Sequence, residues 1–263
     1  MLAPVALPLT ESSVHAETVA EADATASAAP ADLSAMIEQM DVAASEQRLK
    51  AFIGYFDPSF THSDGLTRRQ LRQSVRYFWN RYDQLTYRTQ LESWIEVSPG
   101  VYETVTTTTV SGEQNSELPG AKTLSATVRS RQKVQRQKIL SQTILDEQSQ
   151  IVSGEQPPAV RVNLPTTVSA GEEYFFDVIV NQPLGDRILL GAAIEEAVAP
   201  QGYLNPPQFE IQALATGGLF KIGRAPLTPS DQWISALLIQ DGGMYMMSQR
   251  VTVSPAAETA AAQ

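Results

Sequence analysis

The sequence predicts an α+β first half, two amphipathic helices laid on an antiparallel sheet, followed by an all-β second half. Three observations predict it. Apolar residues keep a helical period from Leu33 to Phe56 and again from Leu71 to Tyr82, alternating apolar and polar residues take over from Tyr87, and the segment SGEQPP at 153–158 interrupts the alternation with two prolines. At 263 residues the chain is long for one domain, since roughly 150 residues per domain is the usual expectation.

The first helix starts at Asp32, a plausible cap, and carries Leu33, Met36, Ile37, Met40, Leu49, Phe52, Ile53 and Phe56 on a drifting apolar face. It is expected to end within 54–58. Thr67-x-x-Gln70 then reads as a capping box, with Leu66 and Leu71 flanking it as a hydrophobic staple. The second helix places Leu71, Val75, Phe78 and Tyr82 on one stripe, with Trp79 beside it, and five arginines occupy the remainder.

Residues 87–97 alternate as a strand, with Leu91 and Ile95 expected on one face and Arg88 and Glu92 on the other. A Ser-Pro-Gly turn leads into 101–110, where four consecutive threonines favour a pleated backbone. The segment 121–150 divides into two strands somewhere in 132–137, where no Gly or Pro marks the division and a helix is the alternative. Seven short strands are expected at 160–164, 174–180, 187–194, 209–213, 219–222, 233–239 and 245–253, with Asp241-Gly242-Gly243 forming a tight hairpin.

The expected organisation is a signal-peptide remnant at 1–16, a flexible acidic Ala-rich leader at 17–31, a first domain at 32–152, a linker at 153–158, a second domain at 159–254 and a flexible tail at 255–263. Residues 1–9 are apolar, and Val14-His15-Ala16 has small residues at alternate positions, as a signal peptidase requires. The basic segment of a signal peptide is missing, so export and a plain apolar tail both stay open, with export the working expectation. No later segment has the roughly 20 apolar residues that cross a bilayer as a helix. A net charge of −10 disfavours nucleic acid and anionic lipid as partners. With no cysteine, thiolate catalysis and cysteine-held metals are excluded, and neither a metal nor a cofactor is expected.

Tyr55-Phe56-Asp57-Pro58, Phe60 and Asp64-Gly65-Leu66, followed by the capped helix, resemble the NTF2-like (SnoaL-like) superfamily over about residues 33–150. The resemblance implies a cone: N-terminal helices on a bent antiparallel sheet. It also implies that any chemistry would sit inside the cone, as an Asp with a Tyr or a His with an Asp. Ser169-Ala170-Gly171-Glu172, residues 174–178 (YFFDV) and Trp233-Ile234-Ser235-Ala236 are similar to bacterial immunoglobulin-like β-sandwich domains, although the Cys pair of that family is missing.

Candidates for the cone interior are Tyr55, His62, Asp64, Tyr77, Tyr82, Arg88, Glu92 and Trp94, and a pocket would be lined by Tyr55, Phe56, His62, Phe78, Tyr82 and Trp94. His62 with Asp64 could work as a general base. Two residues apart in a Thr-His-Ser-Asp-Gly turn, they fit a water-facing turn better. The aromatic residues fit an ordinary core better than a ligand wall. Lys122, Arg129, Arg131, Lys133, Arg136 and Lys138 form a basic stripe, read as a guard against edge pairing. The glutamate pairs at 172–173 and 195–196 lack the closely spaced oxygens of a calcium site, and Met244 and Met246 read as hairpin core rather than a soft-metal cluster.

No catalytic residue is therefore assigned. The expected function is a non-catalytic exported protein that binds a protein partner or a second copy through the first-half sheet. The alternative is a cofactor-free isomerase, dehydratase or cyclase, or a carrier of a small apolar ligand.

Overall fold

The computed structural model describes residues 28–114, 121–185, 187–205 and 207–256; the signal remnant and most of the leader and tail expected above lie outside them. Helix α1 (Ala31–Ser45) buries Leu33, Met36, Ile37 and Met40, the i, i+3, i+4, i+7 set of its apolar stripe. Its cap position is Pro30, not Asp32. The expected single first helix is broken, because Gln47 turns left-handed at φ 53° and a short helix α2 (Leu49–Ile53) restarts after it. Strand β1 (Phe56–His62) then runs through Pro58, parallel to a later strand, where a turn had been expected.

Helix α3 (Arg68–Trp79) starts as the sequence predicts. Thr67 accepts from the Gln70 amide at 3.3 Å, and Gln70 Oε1 accepts from the Thr67 amide at 3.0 Å. Thr67→Ala is expected to lower the stability of the chain by about 1 kcal/mol in urea titration, the usual effect of losing an N-cap.

Four long strands follow: β2 (Gln84–Ser98), β3 (Val101–Gln114), β4 (Lys122–Gln135) and β5 (Lys138–Ser153), each antiparallel to the next. The β4–β5 turn is Arg136-Gln137, both at positive φ (49° and 56°), the conformation of a two-residue hairpin usually marked by Asn or Gly. The second half contributes β6 (Val160–Asn163), β7 (Thr167–Ser169), β8 (Glu173–Val180), β9 (Leu190–Ala197), β10 (Gln212–Ala213), β11 (Gly218–Arg224), β12 (Ser230–Gln240) and β13 (Gly243–Ser254).

Their pairing overturns the expected architecture. In place of the helix-rich α+β cone, one ten-stranded sheet runs in the order β10-β9-β12-β13-β5-β4-β3-β2, with β1 and β7 attached to β5 and β13. The two halves join where β13 pairs with β5 from Met244↔Ser153 to Gln249↔Gln148. Strand makes up 55% of the structure and helix 14%, so it is a mainly β protein and not the expected α+β fold. The three remaining strands form a small sheet, β11-β8-β6.

The covering layer changes sides at that junction. In the first half α1 and α3 lie on one face, with Ala44, Trp79, Tyr82, Leu85, Val110 and Leu124 in one buried cluster, and Ile151 packed against it. In the second half the small sheet covers the opposite face, where Phe176, Val178, Ile234, Leu238 and Val251 form the core, and Val152 packs against that one. Adjacent residues of β5 thus serve two cores, as the two-residue period of a strand dictates. The free edge at β2 is covered by α1: Ser45 Oγ accepts from the Tyr87 amide at 2.9 Å, and Asp41 accepts from Thr89 at 2.6 Å.

Candidate functional site

The structure does not bring the six expected pocket residues together. Phe56 is buried beside α1, edge-on to Phe60 at 5.0 Å, and Trp94 packs against the same cluster, edge-on to Tyr102 at 6.0 Å. Tyr55 packs at its border and donates to Gln39 at 3.2 Å. Phe78 and Tyr82 belong to the separate α3 cluster, with rings 5.1 Å apart. Tyr77 lies on the surface under the Arg81 guanidinium.

Between these two clusters the sheet carries a buried polar band: Thr104, Thr106, Ser130 and Gln132. Ser130 Oγ accepts from Gln132 and Gln142, each at 3.3 Å. Among the described residues the Thr104 hydroxyl has no hydrogen-bond partner, and it is closed to solvent.

Glu92 and Arg88 do not enter the interior. A bulge between Leu91 and Ser93 inverts the side-chain alternation. Trp94 therefore turns inward and Ile95, expected to share the face of Leu91, is 59% exposed. Glu92 accepts from Thr107 and from Arg129, the latter at 2.8 Å, on the outer face.

His62 goes elsewhere, and with it Asp64. Their side chains are 4% and 3% exposed, so the expectation of a water-facing turn is wrong. The turn is built locally. The Asp64 amide donates to His62 Nδ1 at 3.1 Å, the Gly65 amide donates to the His62 carbonyl at 2.9 Å, and Gly65 sits at φ 78°, open mainly to glycine. Ser63 ties it to β5 by donating its amide to Gln142 O at 2.9 Å.

Over this turn lies Arg250 of β13, 1% exposed. Its Nη1 donates to Asp64 Oδ1 at 3.1 Å and to Asp231 of β12 at 2.8 Å. Its Nη2 donates to Asp64 Oδ2 at 2.6 Å and to Glu147 of β5 at 3.1 Å. The Tyr203 hydroxyl donates to Asp64 Oδ2, and Trp233 Nε1 donates to Glu147 at 3.1 Å. The Tyr203 and Trp233 rings meet edge-on at 4.8 Å. Gly202 permits that approach, since a Cβ there would lie 2.5 Å from the Trp233 ring.

Burial alone would raise the Asp64 carboxyl, but hydrogen bonds from Arg250 and Tyr203, with the Arg250 charge, hold it below its ordinary value. Burial would lower Arg250, and its carboxylate partners more than compensate, keeping it charged. Burial pushes Tyr203 up, as do the neighbouring Glu147 and Asp64, so its hydroxyl stays a donor. His62 is lowered by burial and by Arg250, against the opposing pull of Asp64, and stays neutral at pH 7.

As chemistry, this is a brace rather than a catalytic pair. Both Asp64 oxygens are engaged, Oδ1 by Ser63 and Arg250, Oδ2 by Arg250 and Tyr203, and His62, Asp64 and Arg250 are closed to solvent while Glu147 and Asp231 form a partly exposed rim. Arg250, Tyr203, Glu147 and Asp231 were not among the sequence candidates. The one signal was a lone arginine inside an apolar strand pattern, 186 residues from its partner Asp64.

The comparisons with known proteins add little chemistry. Residues 155–254 match a family described as a domain of unknown function (DUF8623). No curated protein matches the chain. Among solved structures, a putative scytalone dehydratase from Novosphingobium aromaticivorans DSM 12444 is similar at 10% identity and a TM-score of 0.36, covering 43% of this chain and 80% of that one. A protein of unknown function from Mycobacterium tuberculosis is similar at 16% identity and a TM-score of 0.30, covering 43% of this chain and 68% of that one.

Proposed function

We propose that the chain is a non-catalytic, exported binding or assembly protein that works through the outer face of its first-half sheet. The observation that carries this reading is the Arg250 cluster: it engages both oxygens of Asp64, the carboxylate of the one acid–base pair singled out in the sequence, so neither is free to act on a ligand. Closure of His62 and Asp64 around Arg250 supports it further. Export rests on the composition of residues 1–16. A division into two sequence units near 153–158 is part of the reading, supported by the family match that begins at residue 155.

The outer face offers Arg129, Arg131 and Lys133 on β4 against Glu103 on β3 and Glu92 on β2, with Ile95 and Val97 exposed at the end of β2. Mixed charge around an apolar tip suits a second copy, because a two-fold axis sets each sign against its opposite. In light scattering at rising concentration the mass is expected to approach twice 28.6 kDa; a strict monomer removes the second-copy part.

The interior has its own test, Thr104→Val. It replaces an unpaired buried hydroxyl by a methyl of similar size and is expected to leave stability unchanged or raise it by about 1 kcal/mol in urea titration. A panel of small apolar ligands should give no thermal shift. Stabilisation by any of them, lost in Thr104→Val, would favour the carrier or isomerase reading instead.

A further inference from the structure

We propose that His62 is a proton-operated catch on the junction of the two halves: protonating its imidazole releases the 62–66 turn, and with it Asp64, from Arg250. This goes beyond the binding role and does not depend on it.

The geometry makes the neutral ring a structural requirement. His62 Nδ1 accepts the Asp64 amide at 3.1 Å, which only an unprotonated nitrogen can do. A protonated ring offers two donors and no acceptor, so donor would face donor at the bond that aims Asp64. The new charge would also compete with Arg250 for one carboxylate, whose Oδ2 lies 3.8 Å from Nδ1 and 2.6 Å from Nη2.

The surroundings of the ring can be enumerated. On its own turn it faces Asp64, and Ser63 is adjacent. From β13 it meets Arg250, behind which stand Glu147 of β5 and Asp231 of β12. From the 199–205 loop comes Tyr203, its ring 6.3 Å away; Phe60 at 6.1 Å and Gln142, its β5 register partner, carry no charge. Asp64 favours protonation, Arg250 opposes it, and burial opposes it most.

The closed ring therefore titrates below the ordinary imidazole value of 6.5, while an opened, hydrated ring returns to it. The closed form is fully favoured above 6.5 and loses ground as pH falls below it, by up to about tenfold in the open-to-closed ratio per pH unit. Asp64, held below its ordinary 3.8, keeps its charge throughout that window.

The test is amide hydrogen exchange of 62–66 and 201–205 from pH 7.5 to 5, corrected for intrinsic rates, in the wild-type chain and in His62→Asn. Asparagine can accept the same amide two residues on and does not titrate. Wild type should lose protection at both segments as pH falls, with β12 and β13 unaffected, and His62→Asn should keep it. Should His62→Asn fold poorly, the imidazole proton resonance in His15→Asn, whose remaining histidine is His62, must titrate below 6.5 in step with the loss of protection. Equal loss in His62→Asn, an imidazole titrating at or above 6.5, or undiminished protection at pH 5 each overturns the proposal.

Discussion

Arg250→Met should cost about 3–5 kcal/mol of unfolding free energy in urea, the range found when one partner of a buried ion pair is removed. The side chain volume is nearly kept. What is lost is, among the described residues, the one cation bonded to Asp64, whose carboxylate would remain in a site 3% open to water with the Ser63 and Tyr203 hydroxyls donating to it. Asp64→Asn in the same chain should recover a large part of the loss, because it removes the stranded charge.

The pH profile gives an independent reading of the same contact. Asp64 is held below its ordinary value of 3.8, so its contribution is present above that value and lost as pH falls through the lowered one. Arg250→Met should flatten that acid limb. If stability changes by less than 1 kcal/mol, roughly the worth of a surface pair, the cluster is not a brace.

Phe176→Ala should cost a similar amount, about 3–5 kcal/mol, by opening a cavity at a fully buried position between the small sheet and β12–β13. Its informative feature is where the loss is felt. The helices of the described residues all lie in the first half, yet β5 and β13 share six register pairs of one sheet. Helical circular dichroism should therefore fall at the same lowered urea midpoint as the fluorescence of Trp233, read in a chain with Trp79 and Trp94 replaced by Phe, in one transition. Two separated transitions, with the helical signal unmoved, would show that the halves unfold independently.

Local signals in the sequence are legible where the determining residues are neighbours. The Thr67–Gln70 capping box and the Asp241-Gly242 hairpin each lie within a few residues and formed as expected. Strand β1 is hidden in the sequence because Pro58 argues against a strand, and the chain tolerates it next to a register shift between Phe56 and Thr61. The Arg136-Gln137 hairpin carries none of the usual turn residues. The inverted alternation after Leu91 comes from a bulge that leaves no mark in composition.

At the candidate site the residue pair was visible and its setting was not. His62 and Asp64 look like a solvated turn until Arg250 arrives from the far end of the chain. Likewise no pattern in residues 138–153 or 243–254 announces that these strands pair within one sheet.

The change of covering side at the junction bears on how this chain tolerates insertions and deletions. Deleting one residue between Leu145 and Ile151 would move every following side chain of β5 to the other face: Ile151 would point at the small sheet, and Val152 at the helices. In a sheet covered on one face such a frame error spoils one interior, whereas here it spoils both at once. Length variation among natural relatives is accordingly expected to gather in the turns, with β5 and β13 constant in residue count.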